Sequence, residues 1–388
     1  MAASSNDEGE VRLGIIGLGN IGQAHAELVQ SRQVDRVKLA AVSSRTPDSS
    51  YDAPHFSDYS ELLRSGLVDA VLIATPTLLH PEMGRLACEH GLHVLMEKPL
   101  AMSVGQAQEM LAHRQPNQKF GVMLNQRFHP SYAKLKSMID QGAIGDVTRV
   151  SWTMTAWYRP DVYYQVSTWR GTWPGEGGGL LINQCIHNLD VLQWLTGLPA
   201  NVSAIAGFGR HHNIDVEDEF TATLSYASGA TGVIVASSGE APGINQLDIV
   251  GDRGMLRFDG ETLSHWRSDV SVREHCQTTN EMFGMPNFEV QTVGEDERLS
   301  GKSQHAQVLQ NFVDAILDDI PLTTPAEEGL ASLHLANGIL QSAWNGAPVK
   351  LPVDTKRFER ALQQRISKST LRSPSSQDVQ INMDKSFR

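Results

Sequence analysis

Cysteine is scarce. Cys88, Cys185 and Cys276 are the only three in 388 residues. They are too few and too scattered for a disulfide framework or a structural zinc site. Positive charge is in deficit as well: 32 Lys and Arg face 44 Asp and Glu, a formal net charge of −12. Such a chain lacks the broad basic footprint of a nucleic-acid binder and offers little to an anionic membrane surface. No apolar run approaches the roughly 20 residues that span a bilayer. The stretch from Met1 to Glu10 has neither the basic start nor the apolar core of a signal peptide. These absences point to a reducing, cytoplasmic setting, with no nucleic-acid and no membrane partner. The remaining composition, 40% hydrophobic and 20% charged, is that of a globular protein and excludes wholesale disorder. The length fits about two domains.

Between residues 11 and 128, short apolar runs alternate with helical stretches. Strands are expected at 11–16, 37–42, 68–74, 93–96 and 120–123, and helices at 21–31, 59–65, 81–90 and 103–113. That alternation predicts a doubly wound parallel sheet with helices on both faces. The strands are continuously apolar, as two buried faces require. After residue 145, strand-like runs follow one another at 147–155, 202–208, 219–225, 230–237, 246–250 and 254–258. Turn residues such as Ala227-Ser228-Gly229 separate several of them, as in hairpins. One long helix is expected over 180–195, others near 305–317 and 327–344, and a long loop over 277–303. The expected plan is an α/β domain at 11–128 and an α+β domain with an open, mostly antiparallel sheet at 129–355. A flexible tail at 1–10 and a polar tail at 356–388 flank them.

The first strand runs into Gly17-Leu18-Gly19-Asn20-Ile21-Gly22, then a helix. Gly17 permits the tight turn, Gly19 lets the backbone approach a pyrophosphate, and Gly22 lets helix and strand pack closely. The helix N-terminus adds free N–H groups and a favourable dipole. The position between strand and helix is what raises this motif above a glycine-rich turn. A dinucleotide cofactor is therefore expected on the loop, with Asn20 and Ile21 contributing from the helix start. At the end of the second strand, Ser43-Ser44-Arg45-Thr46 carries no acid before Asp48. An acid there would bond the ribose 2′-OH of NAD, whereas Ser44, Arg45 and Thr46 suit the 2′-phosphate of NADP. NADP is expected over NAD, the other reading being that Arg45 is solvated or stacks on adenine.

Three more segments stand at places where chemistry is done. Thr75 and Pro76 follow a strand and are expected beside the nicotinamide, while His80 either joins them or merely caps the next helix. Glu97-Lys98-Pro99 ends another strand, where Glu97 and Lys98 are expected to border the cofactor. Lys98 there can hold a substrate hydroxyl and stabilise its developing charge, or form an ordinary surface ion pair with Glu97. Gly177-Gly178-Gly179 opens a helix on which Asn183, His187 and Asp190 are expected to share one face. A histidine suits proton exchange near neutral pH, although a lone one is often structural. Trp157, Arg170 and Trp173 can bind a flat hydroxylated ligand, or the tryptophans can fill an interface between domains or subunits. His211, His212 and Asp215 lie in a loop, and no metal is expected.

Taken in order, Gly17–Gly22, Glu97-Lys98-Pro99, and Gly177-Gly178-Gly179 with Asn183, His187 and Asp190 resemble the glucose–fructose oxidoreductase/inositol dehydrogenase/rhizopine catabolism (Gfo/Idh/MocA) oxidoreductase family. The resemblance spans about residues 11–355. The segment Asn125-Gln126-Arg127-Phe128-His129-Pro130 is similar to the family's exit from its Rossmann domain. It implies a Rossmann domain followed by an open-sheet domain that makes homodimers or homotetramers. It also implies hydride transfer between NAD or NADP and a secondary alcohol or ketone of a sugar, inositol or glycoside. By resemblance Lys98 is the active-site lysine and His187 the proton-transferring histidine, with Asn125 beside the cofactor and Arg127 beside the substrate. Many members have Asp four residues before the histidine; here it is Asn183, which can orient His187 or bond a substrate hydroxyl but cannot relay a proton. Two other functions remain open: glycoside cleavage through transient oxidation by bound NAD, and a non-catalytic cofactor- or sugar-binding regulator.

Overall fold

The computed structural model describes residues 9–47 and 50–370. Residues 1–8 of the expected tail at 1–10, and residues 371–388 of that at 356–388, lie outside those residues. The chain forms two compact units: the described residues up to Phe128 with Gly301–Leu333, and His129–Ser300 with the residues from His334 on.

The first unit is built on β1 (Val11–Ile16), α1 (Asn20–Gln30), β2 (Val37–Ser43), β3 (His55–Phe56), α2 (Tyr59–Arg64), β4 (Ala70–Ile73), α3 (His80–Glu89), β5 (His93–Met96), α4 (Val104–Leu111) and β6 (Phe120–Val122). Side-chain caps start several helices: Asp58 accepts from Ser60 N at α2 and Ser103 from Gln106 N at α4. The strands pair in parallel in the order β3-β2-β1-β4-β5-β6. Because β1 lies between β2 and β4, the chain reverses direction across the sheet there, and the turns after β1 and β4 stand side by side.

One expectation about this unit fails. The second domain was expected to run unbroken over 129–355, yet Gly301–Leu333 returns to the first unit. The cause is the apolar stripe of α11 (Gln304–Asp318). Ala306, Leu309, Phe312 and Val313 recur at helical spacing and are buried in one core with Val11, Leu13 and Ile15.

The second unit carries α5 (Pro130–Asp140), β7 (Val147–Met154), α6 (Asp161–Gln165), α7 (Trp173–Glu176), α8 (Leu180–Asn183), α9 (Ile186–Thr196), β8 (Asn201–Phe208), β9 (Glu217–Ser225), β10 (Thr231–Ser237), β11 (Asn245–Gly251), β12 (Gly254–Phe258), β13 (Leu263–Ser268), α10 (Val272–Thr278) and β14 (Phe288–Val293). It is completed by the C-terminal part of α12 (Ala326–Asn345), β15 (Val349–Lys350) and α13 (Thr355–Ile366). Its sheet runs β14-β13-β12-β11-β7-β10-β9-β8-β15, antiparallel at every pairing except β7 with β10.

Three further expectations are corrected here. The single helix over 180–195 is two, α8 and α9, broken at Gln184 and Cys185. The loop over 277–303 contains β14, an exposed edge strand whose pairing with β13 the apolar pattern does not announce. The polar tail at 356–388 begins as α13, capped by Asp354. In that helix Phe358 and Leu362, four apart, are the buried residues, and Phe358 stacks on Trp344 at 5.3 Å. Two apolar side chains among charged neighbours are enough to dock one helical face, and overall composition conceals them.

Candidate active site

In the first unit the candidate residues gather at the carboxyl ends of β1, β4, β5 and β6. Gly17 has φ +96°, and a Cβ there would lie 2.5 Å from Ala74 O. A Cβ on Gly22 would lie 1.9 Å from Gly17 O, so helix α1 can start this close to the turn only with glycine. Gly19 differs: a Cβ on it would meet nothing within 4 Å. Gly19 is also the N-cap of α1 and makes no side-chain cap, so the first amides of α1, at Asn20, Ile21 and Gly22, receive no capping side chain. Open space in front of an uncapped helix start is what a pyrophosphate needs.

Around this loop, the sequence-predicted residues divide. Thr75 contacts the loop through the methyl that Gly17 would crowd, and its hydroxyl reaches Met83 Sδ at 3.4 Å. Pro76 precedes the turn that leads into α3. His80 does not cap that helix, whose N-cap is Leu79. Its ring is buried, and its two nitrogens lie 2.8 Å from Pro99 O and 2.8 Å from Thr75 O, so both are engaged by the backbone. It ties the turn after β4 to the turn after β5, and burial lowers its pKa. Ser44 donates its hydroxyl proton to Thr46 O at 2.5 Å, while the side chains of Arg45 and Thr46 are both exposed and carry donors suited to a phosphate.

Glu97 is not a surface partner of Lys98. It is buried, its Oε1 lies 2.7 Å from His25 Nε2, and its Oε2 accepts from Lys98 N at 3.1 Å. Burial pushes its pKa up, but the His25 bond and the cationic neighbours outweigh it and hold the carboxyl at about 2. The His305 ring, on α11, lies 5.6 Å from that of His25, and burial pushes it down to about 4. Lys98, half-buried, therefore extends from a turn anchored by buried groups. Sequence reading missed His25 and His305; the first stands three residues after Gly22, on the next turn of α1, and the second has no local signal.

Asn125 is buried and donates to Gln304 Oε1 at 3.1 Å, while its Oδ1 has no hydrogen-bond partner among the described residues. A buried acceptor of that kind fits the carboxamide N–H of a nicotinamide. Arg127 is not available to a substrate as expected. Its side chain is 1% exposed, and its guanidinium donates to Glu328 and to Thr323 O, the latter at 3.1 Å.

In the second unit, Thr172 caps α7 by accepting from Gly175 N, and the short helix ends in left-handed Gly177. This turn carries Glu176, which is buried and accepts from Gly171 N at 2.6 Å and from Asn183 Nδ2. Glu217 on β9 accepts from Gly179 N at 2.8 Å and Leu181 N at 2.9 Å, fixing the first turn of α8. Burial, with Glu176 adding, pushes Glu217 up to about 7 against those bonds. Burial also raises the Cys185 thiol. The break after Asn183 means that Asn183, His187 and Asp190 do not share one helix. His187 and Asp190 are both buried on α9, where Asp190 accepts from Gln193 Nε2 at 3.0 Å.

The aromatic candidates also divide. Trp173 is not a ligand platform: it is buried, with Trp344 at 5.5 Å and Phe208 at 6.0 Å. Trp157 is half-buried and donates to Asn188 Oδ1 at 3.2 Å. Arg170 lies 4.5 Å from the centre of the Tyr163 ring and 4.9 Å from that of Trp169, so this arginine itself covers aromatic faces. The loop of His211 and His212 is organised by Asp218, which accepts from the backbone N–H groups of Arg210, His211 and His212.

An open glycine turn at the switch of a parallel sheet, with an orphaned amide oxygen near the strand ends, defines a dinucleotide-binding oxidoreductase fold. Both units match family models: residues 11–126 the oxidoreductase family with NAD-binding Rossmann fold, and residues 132–257 the Gfo/Idh/MocA C-terminal domain. The chain belongs to the Gfo/Idh/MocA family of oxidoreductases. Among its relatives, scyllo-inositol 2-dehydrogenase (NAD(+)) of Bacillus subtilis is 29% identical, over 89% of this chain and 98% of that one. The D-glucoside 3-dehydrogenase of Escherichia coli is 25% identical, over 88% and 97%. The WlbA dehydrogenase of Bordetella pertussis, solved with NADH and UDP-GlcNAcA, superposes with a TM-score of 0.76 at 26% identity, covering 89% of this chain and 100% of that one.

Proposed function

We propose that the protein is an NADP-preferring dehydrogenase or reductase of a secondary alcohol or ketone on a sugar, inositol or glycoside. The single observation that carries this reading is the Glu97-Lys98-Pro99 turn, anchored through Glu97 on His25, beside the open Gly19 loop in the same unit. Gly17, Gly19, Gly22 and the first amides of α1 hold the pyrophosphate, Thr75, Pro76 and Asn125 border the nicotinamide, and Arg45 takes the 2′-phosphate. When bound, the nicotinamide supplies the hydride acceptor or donor. Lys98 holds the substrate oxygen and stabilises its developing charge. His187 takes or returns the hydroxyl proton, and Asn183 orients the substrate. Relatives named as inositol and glucoside dehydrogenases support the substrate class. The NADP preference rests on Arg45 and on the lack of an acid from Ser43 to Thr46, and it departs from the NAD(+) and NADH in the relatives' names. We place the enzyme in the cytoplasm as a homodimer or homotetramer.

Replacing Lys98 or His187 with Ala should lower kcat on a polyol panel by about 100-fold or more, the scale of a lost acid–base group, with cofactor Kd little changed. Full turnover in both variants sinks the mechanism. Fluorescence titration should show NADPH binding more tightly than NADH, with the difference lost in Arg45→Ala. Equal binding in the wild type rejects the phosphate pocket and leaves Lys98 and His187 untouched.

A further inference from the structure

We propose that Arg170 recognises an oxyanion carried by the sugar, a carboxylate or a phosphate, so that the substrate is an acidic sugar derivative. The inference rests on the reading of the protein as a sugar oxidoreductase and narrows it. The chain is acidic, with a net charge of −12, and other arginines meet carboxylates: Arg12 pairs with Asp69 and Arg257 with Asp248. Arg170 does not. It is half-buried, with its guanidinium 4.5 Å from the centre of the Tyr163 ring and 4.9 Å from that of Trp169. Among the described residues its side chain has no ion pair and no hydrogen-bond acceptor, and its Nε is buried. The Arg159 guanidinium lies 5.4 Å from the centre of the same Tyr163 ring, so two cations gather on one aromatic side chain.

Ring faces attract a guanidinium through their quadrupole but use none of its N–H donors. Those donors form a planar fork that matches carboxylate and phosphate oxygens in pairs. A sugar hydroxyl can accept one such bond but cannot neutralise a cation withdrawn from water; an oxyanion does both. The loop that presents the fork is braced. Ser167 Oγ accepts from Trp169 N and Arg170 N, each at 3.3 Å, and Thr172 Oγ1 donates to Trp169 O at 2.8 Å. The same loop is tied to the end of α8. Tyr163 Oη accepts from Gln184 Nε2 at 3.1 Å, and Gly171 N donates to Glu176, which also accepts from Asn183. Arg170 thus belongs to the hydrogen-bonded surroundings of Asn183 and Gln184, one helical turn before His187, within a single unit of the chain.

The test compares sugars that differ only in charge: glucuronate and glucose 6-phosphate against glucose, and galacturonate against galactose. Binding is followed by tryptophan fluorescence with reduced cofactor present, and turnover is measured on the same pairs. At least one acidic sugar should bind the wild type about 10-fold or more tightly than its neutral counterpart, the scale of a charge-assisted bond. Arg170→Met should remove that preference and leave cofactor Kd unchanged. Tighter binding of the uronates assigns a carboxylate, and tighter binding of the sugar phosphate assigns a phosphate. No preference for any acidic sugar in the wild type, or a preference that survives in Arg170→Met, overturns the proposal. If Arg170→Met does not fold, Arg170→Lys decides: it keeps the charge and loses the fork, so a preference reduced several-fold supports the proposal and an unchanged one overturns it. Acidic sugars that bind through Arg170 but are not turned over with NADP or NAD leave the anion site standing and sink the oxidoreductase reading. Neutral sugars bound and turned over as well as their acidic counterparts do the reverse.

Discussion

Gly19 and Gly22 stand three residues apart and carry opposite constraints. A methyl on Gly22 would collide with Gly17 O, whereas a methyl on Gly19 would enter open space. Gly22→Ala should therefore destabilise the first unit, shown by a lower thermal midpoint without any ligand. Gly19→Ala should leave that midpoint within a degree or two and weaken dinucleotide binding, because its methyl fills the room left for the pyrophosphate. Equal thermal midpoints for the two variants would contradict this division of labour. The residue scale also shows where one-dimensional reading fails. Glu97 beside Lys98 reads as a surface pair, yet its partner is His25, 72 positions away. Arg127 and Trp173 have the chemistry of ligand-binding side chains, but both are buried, Arg127 bonded to Glu328 and Thr323 O and Trp173 packed against Trp344 and Phe208.

At the scale of elements, α11 shows how a segment far along the chain completes a domain that the sequence places before residue 128. Phe312 is fully buried in the core that also holds Val11, Leu13 and Ile15. Phe312→Ala should cost the first unit about 3–5 kcal/mol, the usual range for emptying such a site. Thermal or urea unfolding followed with dinucleotide binding will measure it. A change below about 1 kcal/mol would mean that α11 adds little to the core, since surface substitutions stay within that range. The break between α8 and α9 belongs to the same scale. Helical spacing alone makes 180–195 continuous, but the chain turns at Gln184 and Cys185, and Asn183 donates to Glu176 on α7.

For the whole molecule, two buried carboxyls set opposite pH responses. Glu97 titrates at about 2 in the fold, below its ordinary 4.5. Its contribution is present above the ordinary value and is lost as pH falls toward 2. Glu217 titrates at about 7, above 4.5, so the native state holds an extra proton between those values. That contribution is complete below pH 4.5 and fades as pH rises through 7. Glu217→Gln keeps an oxygen for Gly179 N and Leu181 N and removes the titration. Its thermal midpoint relative to wild type should climb between pH 5 and pH 8, the interval across which the native carboxyl ionises. A difference that is flat with pH would place the Glu217 pKa near its ordinary value.

The sequence by itself determined the features that depend on local spacing and backbone freedom. These are the parallel strands of residues 11–128, the glycine turn after β1, the hairpins of the second unit and the order of the family's motifs. Apolar runs, helical periodicity and glycine's access to positive φ are properties of a short stretch, so a short stretch reveals them. Tertiary structure alone decided what each polar side chain faces. His25 holds Glu97, His80 ties two turns together, Glu176 accepts from Asn183, and α11 returns to the first sheet. Each depends on groups that the fold brings close and excludes from water, and a buried donor or acceptor must find its partner wherever the chain delivers one.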